Sequence, residues 1–269
     1  MRLLYIGDIM GPMGMATVEK ILPELKASKK IDVVIAQVEN LSDGKGMRPA
    51  DLEAMRAAGV DAFTGGNWSW AKEEAFPILE DPSWPIVRPA NYADITLPGR
   101  GSTIFETPAG KVLLINVLGQ IVGFNQPETK NPLHVIDAIL SNAPTEDLAA
   151  IVVDFHGDFS SEKLVVGQYL DGRATLVAGD HWHIPTADAM VFPKGTAHIS
   201  DVGMVGSLDS CLGVKTEVIT QRWLKDHRSK NVLETEGRAQ FCAVIVDTEP
   251  GSFAATSITQ VIKYLDSVQ

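Results

Sequence analysis

Short apolar runs alternate with helical patterns in the first third of the chain, and this alternation limits the folds that it can adopt. The apolar runs predict strands over Leu3–Gly7, Val33–Val38 and Ala62–Thr64. Predicted helices follow these strands, over Met15–Lys29, from Pro49 onwards and over Lys72–Glu80. Alternation of this kind favours a largely parallel sheet covered by helices.

The rest of the chain also carries antiparallel signals. Thr107-Pro108-Ala109-Gly110 separates two apolar segments and predicts a hairpin. The predicted elements are strands over Ser102–Glu106, Lys111–Val117, Ala149–Phe155, Ala174–Ala178, Gln240–Asp247 and Ala254–Tyr264, and helices over Leu133–Ser141 and Ser161–Tyr169. Because no repeat or linker divides the sequence, we expect residues 1–269 to form a single α/β domain with two packed sheets and outer helices.

Composition excludes several classes of partner. The 269 residues carry a net charge of −11, and an acidic surface repels duplex phosphate. No apolar run approaches the roughly 20 residues that a membrane-spanning helix needs. The two cysteines, Cys211 and Cys242, lack the CxxC spacing of a metal or redox motif. We therefore predict a cytoplasmic protein with reduced thiols that binds neither duplex nucleic acid nor a membrane.

Polar residues that can bind a metal follow five of the predicted strands. In α/β sheets, ligands collect beyond the carboxyl ends of the strands, where these residues would meet. Taken singly, Asp8 is better explained as a helix cap, Asn67 as a turn residue and His156 as a hydrogen-bonded buried histidine. As a set they predict a metal site. Its candidate ligands are Asp8, Glu39, Asn40, Asn67, His156, His181 and His183.

The His181-Trp182-His183 motif is the strongest single signal in this set. On an extended segment, alternate residues point to the same side, so both imidazoles would face one site. Imidazoles, carboxylates and amide oxygens without thiolates suit Mn, Fe or Zn. Seven donors exceed the needs of one ion, whereas two divalent ions roughly 3.5–4 Å apart would use them and activate a bridging hydroxide.

An ordered series of motifs runs along nearly the whole chain and resembles the bacterial YmdB-type phosphodiesterases, which belong to the calcineurin-like metallophosphoesterase superfamily. The motifs are Gly7-Asp8, Glu39-Asn40, Gly44-Lys45-Gly46, Gly66-Asn67, Arg88-Pro89-Ala90-Asn91, Asp154-Phe155-His156, Ser161-Glu162-Lys163, Asp171-Gly172-Arg173-Ala174, His181-Trp182-His183, Thr186-Ala187-Asp188, Pro193-Lys194-Gly195-Thr196-Ala197 and Asp201-Val202-Gly203-Met204. The resemblance implies a four-layer sandwich of two mixed β-sheets flanked by helices. It also implies hydrolysis of 2′,3′-cyclic nucleotides or related small phosphodiesters, and a homo-oligomer.

The resemblance also implies a role for each candidate ligand. Asp8, Asn40 and His183 match the ligands of one metal. Asn67, His156 and His181 match those of the other, and Glu39 matches the bridging carboxylate. The imidazoles would be neutral and oriented by hydrogen-bond acceptors that the sequence does not identify.

One position departs from the family pattern. Where the family has Gly-Asn-His, with the histidine beside the leaving oxygen, this chain has Gly66-Asn67-Trp68. An indole does not act as an acid, and losing general-acid help typically costs about 10²–10⁴-fold in rate. His198 is a candidate substitute imidazole. The indole either stacks on a nucleobase or packs in the loop.

Two functions follow from this departure. The first is a phosphodiesterase with reduced or altered activity, and the alternative is a catalytically silent metal- and nucleotide-binding regulatory protein. A third class, an interaction protein without metal, would lose the metal site altogether. Basic residues near the motifs are candidate phosphate contacts, although a structural ion pair or a surface position explains each of them better. They are Lys45, Arg88, Lys163, Arg173 and Lys194.

Overall fold

A computed structural model describes residues 1–122, 128–144, 147–225 and 228–268. In chain order its elements are β1 (Arg2–Ile6), β2 (Asp8–Ile9), α1 (Gly11–Lys29), β3 (Val33–Gln37), α2 (Pro49–Ala58), β4 (Ala62–Thr64), a 3₁₀ turn (Glu73–Ala75), α3 (Phe76–Glu80), β5 (Ile86–Val87), β6 (Ser102–Thr107), β7 (Gly110–Leu118), α4 (Pro132–Asn142), β8 (Leu148–His156), α5 (Ser160–Tyr169), β9 (Leu176–Asp180), β10 (Met190–Val191), β11 (Ala197–Ile199), β12 (Met204–Ser207), α6 (Thr216–Leu224), β13 (Ala239–Thr248) and β14 (Ala255–Leu265). In these residues the strands form two mixed sheets.

The first sheet has the strand order β2-β12-β13-β1-β3-β4-β5, with β14 on the free side of β13. Its parallel part is β1-β3-β4-β5, in which Leu3 is opposite Val33 and Phe63 is opposite Ile86. Strand β13 runs antiparallel to β1 and forms a hairpin with β14. The parallel part therefore carries the carboxyl ends of β1, β3 and β4 to one edge of this sheet.

The second sheet has the order β10-β11-β9-β8-β7-β6. Strands β7, β8, β9 and β11 are parallel, whereas β6 and β10 run antiparallel to their neighbours. The β6–β7 hairpin turns at the predicted Thr107–Gly110 segment, where Gly110 has a φ of 123°.

The two sheets pack face to face, and helices cover both outer faces. Alternate residues of one strand serve both interfaces, because successive side chains point to opposite faces. Leu3 and Tyr5 enter the core between the sheets, and Leu4 and Ile6 pack in the core under α1 and α2. A third core joins the second sheet to α4 and α5. The predicted four-layer α/β sandwich is confirmed.

Several short elements were not predicted from the sequence. The strands β2, β5 and β10 have two residues each, which is too short to show a hydrophobic period. Helix α6 has no fully buried residue, and its Val218 and Ile219 are only partly buried. The assignment of residues 1–269 to a single domain stays a prediction.

In the described ranges no helix combines the length and the apolar character required to cross a bilayer.

Candidate metal centre

The polar ends of five strands converge where the two sheets face each other. Strands β1, β3 and β4 bring Asp8, Glu39 with Asn40, and Asn67, and strands β8 and β9 bring the histidines. The strand ends do not meet at the edge of one parallel sheet, because each of the two sheets supplies part of the cluster. Asp8 does not simply follow a strand either, since it begins β2 and pairs with Met204.

Asn67, His156 and His181 form one group, which we call the first half of the site. Nε2 of His156 lies 2.9 Å from Oδ1 of Asn67. The rings of His156 and His181 meet edge to face with their centroids 4.6 Å apart. His156 is completely buried, and His181 is partly exposed.

Asp8, Asn40 and His183 form the second half of the site. Nδ2 of Asn40 lies 3.2 Å from Nε2 of His183 and 3.4 Å from Oδ1 of Asp8. The same Asp8 oxygen is 3.8 Å from Nε2 of His183. A half-turn of the Asn40 amide would present its oxygen, which is the metal-binding atom, to this group.

Glu39 lies between the two halves. Its Oε1 is 3.2 Å from Nε2 of His156 and 3.2 Å from Nδ2 of Asn40. Ligand atoms of Glu39, His156 and His181 all lie within 4.8 Å of one another. One carboxylate therefore reaches both groups, which is the geometry that a bridging ligand needs.

The donor set and its surroundings fit a divalent metal. A Cβ atom on Gly66 would lie 2.8 Å from Nε2 of His156 and closer still to Oε2 of Glu39, so only glycine leaves this space open. Among the described residues, five buried carboxyl groups surround the site, and Lys163 is the one buried lysine. When these carboxyl groups are ionised, their buried charge is costly unless cations balance it. The five are Asp8, Glu39, Asp154, Asp180 and Asp201.

Burial and the neighbouring charges shift the pKa values of the candidate ligands. Burial raises the pKa of Asp8 well above its ordinary value, and the nearby charge of Asp180 adds to this effect. Burial disfavours charge on His156, but Glu39 and Asp180 outweigh it and hold the pKa of His156 well above the usual range. Burial lowers the pKa of His181 to about 4 and also lowers the pKa of His183. These two rings are therefore neutral at pH 7, which is the form that binds metal.

The His181–His183 segment faces the site for a different reason from the one expected. Both histidines have left-handed backbone, with φ of 100° and 63°, and the segment is a bend rather than a strand. Backbone hydrogen bonds hold the bend, from the His181 N–H to Oδ2 of Asp8 and from the Trp182 N–H to Oδ2 of Asp201. The extended-strand argument for this motif was wrong, and metal binding by its histidines stays a prediction.

A buried ion pair between Lys163 and Asp201 stabilises this bend. The Lys163 ammonium is completely buried and donates to the Asp180 carbonyl at 2.6 Å and to Asp201 at 2.8 Å. Since Asp201 also accepts from the bend, the ion pair ties α5 to the end of β9. Lys163 is therefore a structural cation rather than a phosphate contact.

Asp180 is the residue that sequence reasoning missed. It is completely buried, and its Oδ1 is hydrogen-bonded to Nδ1 of His156. Tyr5 donates to the other oxygen at 3.1 Å. A carboxylate on Nδ1 leaves the Nε2 lone pair free to bind metal. The sequence did place an acid beside the His181-Trp182-His183 motif, but its partner is distant in the chain.

Trp68 follows Asn67, and its indole is 38% exposed at the mouth of the site. Its backbone N–H donates to Oε2 of Glu39 at 3.1 Å. The Lys45 ammonium lies 3.7 Å from the centroid of the indole ring, and in the described residues Lys45 has no acidic partner. His198, the candidate substitute, stacks on Phe192 and lies against Gly167, so its ring packs among those residues rather than among the candidate ligands.

The sandwich with histidines, carboxylates and amides at its facing strand ends defines a protein of the metallophosphoesterase fold. Residues 4–261 match the family described as YmdB-like protein. The chain belongs to this family, as the motifs of the sequence indicate.

One curated relative and two solved structures resemble the chain over nearly its whole length. The chain is 35% identical over 263 residues, 97% of each chain, to the 2′,3′-cyclic-nucleotide 2′-phosphodiesterase of Bacillus subtilis (strain 168). A structure titled as a novel phosphatase from Mycoplasma pneumoniae superposes with a TM-score of 0.91 at 28% identity, covering 99% of this chain and 94% of that one. A hypothetical protein from Thermus thermophilus gives 0.89 at 34% identity, covering 98% and 99%.

Proposed function

We propose that the protein is a dinuclear metal-dependent phosphodiesterase that hydrolyses small phosphodiesters, with 2′,3′-cyclic nucleotides as its substrate class. The coarser part, a phosphoesterase, rests on family membership and on the phosphodiesterase and phosphatase names of the relatives. The observation that carries the dinuclear site is the position of Glu39 within hydrogen-bond distance of both halves. The proposed substrate class is supported by the name of the Bacillus subtilis relative.

Seven residues would hold the two ions, for which Mn or Fe is the first choice and Zn the second. Asp8, Asn40 and His183 would hold one ion, and Asn67, His156 and His181 the other, with Glu39 shared. When bound, two divalent ions supply an activated water at neutral pH and stabilise the charge that develops on phosphorus.

The chain's own residues prepare this site. Asp180 fixes the ring of His156 so that Nε2 points at Asn67 and Glu39. The Trp68 N–H fixes the second oxygen of Glu39. Groups positioned before substrate arrives need no reorganisation during the reaction.

At position 68 an indole takes the place of an imidazole, so the leaving oxygen loses a proton donor and activity is weakened or redirected. The exposed indole and the Lys45 ammonium over its face favour a role for this pair in contacting substrate. A cation held beside the site attracts a phosphate monoanion. The same exposed indole supports the second candidate, a catalytically silent protein that binds metal and nucleotide to regulate a partner.

Hydrolysis of 2′,3′-cyclic AMP by the Mn²⁺-loaded protein tests the proposal. We expect turnover, and we expect Trp68→His to raise kcat by at least tenfold, because a general acid contributes about 10²–10⁴-fold. Trp223→His, at an exposed indole on α6, is the matched control and should leave the rate unchanged. If the metal-loaded unchanged protein shows no hydrolysis and the metal-loaded Trp68→His variant does, the result would support the silent regulator. If metal loads and neither variant hydrolyses any diester, the proposed function is wrong.

A cytoplasmic location, a homo-oligomer and the absence of duplex nucleic-acid binding remain predictions.

A further inference from the structure

A cavity of about 390 Å³ lies directly beside the candidate metal ligand Asn67. Its volume is at the small end of the range for ligand pockets, roughly 300–1,000 Å³, and suits part of a nucleotide rather than a polymer. Its walls combine aromatic, aliphatic and acidic side chains. They include Asn67, Trp70, Tyr92, Asp94, Leu97 and Glu128.

The aromatic wall of this cavity is rigid. The rings of Trp70 and Tyr92 meet edge to face at 4.6 Å, and the Trp70 indole N–H donates to the Pro98 carbonyl at 2.9 Å. Leu97 packs in the same small apolar cluster as Tyr92. Side chains that are fixed before binding lose little entropy when they contact a flat ligand.

The Tyr92 hydroxyl is an accessible polar group in this wall. Tyr92 has a relative exposure of 6%, and no hydrogen bond of its hydroxyl is found within the described part of the chain. The hydroxyl oxygen is not among the fully enclosed polar atoms, so it can donate a hydrogen bond to a molecule in the cavity. Burial raises the pKa of the Tyr92 phenol, and the charge of Glu39 adds to this shift.

We propose that this cavity, which we call the Tyr92 cavity, holds the base of a cyclic-nucleotide substrate, and that the Tyr92 hydroxyl donates a hydrogen bond to it. The assignment rests on the proposed function, since it places the substrate phosphate at the neighbouring metal ligands. It makes Tyr92 a specificity-determining residue.

The acidic rim indicates which bases fit. Asp94 is held in place by Thr96, whose backbone N–H and hydroxyl both donate to its Oδ1. Carboxylates at the mouth repel a phosphate and accept hydrogen bonds from amino groups. Adenine, guanine and cytosine carry an exocyclic amino group, whereas uracil presents carbonyl oxygens in its place. The Tyr92 cavity therefore prefers an amino-bearing base.

Kinetics with Tyr92→Phe, which keeps the ring and removes the hydroxyl, tests the proposal. We expect KM for 2′,3′-cyclic AMP to rise about three- to tenfold, the effect of losing one hydrogen bond, with little change in kcat. The base-free analogue methyl riboside 2′,3′-cyclic phosphate should show the same KM with both proteins. Tyr264→Phe, at an exposed tyrosine of β14, is the matched control. Equal effects on both substrates, or none on either, would overturn the proposal, as would a wild-type KM lower for 2′,3′-cyclic UMP than for 2′,3′-cyclic AMP.

A binding measurement separates this proposal from the proposed function. Adenosine is titrated into protein freed of metal with a chelator, where no hydrolysis occurs. Saturable binding that weakens in Tyr92→Phe supports the Tyr92 cavity even if no diester is hydrolysed. Active enzyme that binds adenosine equally well in both proteins would overturn the cavity assignment and leave the proposed function in place.

Discussion

The two halves of the candidate metal site differ in how firmly neighbouring residues hold their histidines. In the first half, His156 is completely buried and is hydrogen-bonded at both ring nitrogens, to Asp180 on one side and to Asn67 and Glu39 on the other. In the second half, His183 is 9% exposed, and its Nε2 lies 3.2 Å from the Asn40 amide and 3.8 Å from Asp8. The contrast teaches that strand ends bring ligands together, but that buried supporting residues fix their orientation.

This difference in how the ligands are held predicts that the two halves bind their metal ions with different affinities. A ligand whose ring is already oriented loses less entropy when a metal binds. We therefore expect the first half to bind its ion more tightly than the second half, and Glu39 to couple the two.

The largest effect is expected from Glu39→Gln, which removes the charge shared by both halves. Metal affinity at both positions should fall more than about 100-fold, because the carboxylate is an expected ligand rather than an outer residue. Metal titration by calorimetry measures this, with Glu19→Gln on the exposed side of α1 as the control. If Glu39→Gln loses only one of the two ions, Glu39 is a ligand in one half only and does not bridge the two ions.

Asp180→Asn sharpens the comparison, because the hydrogen bond that it removes from a candidate ligand is the one to His156, in the first half. Losing the carboxylate on Nδ1 of His156 should weaken the tighter ion about 10–100-fold. The weaker ion should change less, because Asp180 affects Asp8 only through its charge. Asp209→Asn, at a surface ion pair with Arg238, controls for the removed charge. A uniform loss at both positions would contradict the assignment of Asp180 to His156.

Proton release should accompany metal binding, since the raised pKa values of Asp8 and His156 keep protons in the metal-free site. A folded-state pKa above the unfolded value stabilises the protein at low pH. This contribution is lost as pH rises through the folded value. Metal should therefore bind more tightly as pH rises, by up to about tenfold per unit for each proton released. Its effect on the melting temperature should be larger at pH 8 than at pH 6, and calorimetry in two buffers counts the protons. An affinity independent of pH would contradict this account.

The strands β1, β3 and β4 could be predicted because each is an apolar run between helix signals. Ala62–Thr64 was predicted to the residue, and α2 begins at Pro49, whose missing N–H suits a first helical turn. The strands β10 and β5 were not predictable, because two residues carry no period. Helix α6, in which no residue is fully buried, was also not predicted.

The candidate ligands could be singled out because each follows an apolar strand, but their support could not. Asp180 and His156 are 24 residues apart, and only the pairing of β8 with β9 makes them neighbours. The bend at His181 and His183 depends on Asp8 and Asp201, which lie on other elements. Whether the seven residues bind metal is a prediction that geometry supports and that metal analysis must test.

The metal content of purified, Mn²⁺-reconstituted protein tests the central claim most directly, with His156→Ala/His181→Ala compared with the unchanged chain. We predict two ions per chain in the unchanged protein and at most one in the double variant, with a lower melting temperature in the presence of metal. Equal ion content in the two proteins would contradict the account, because the facing strand ends would then not be where the metal binds.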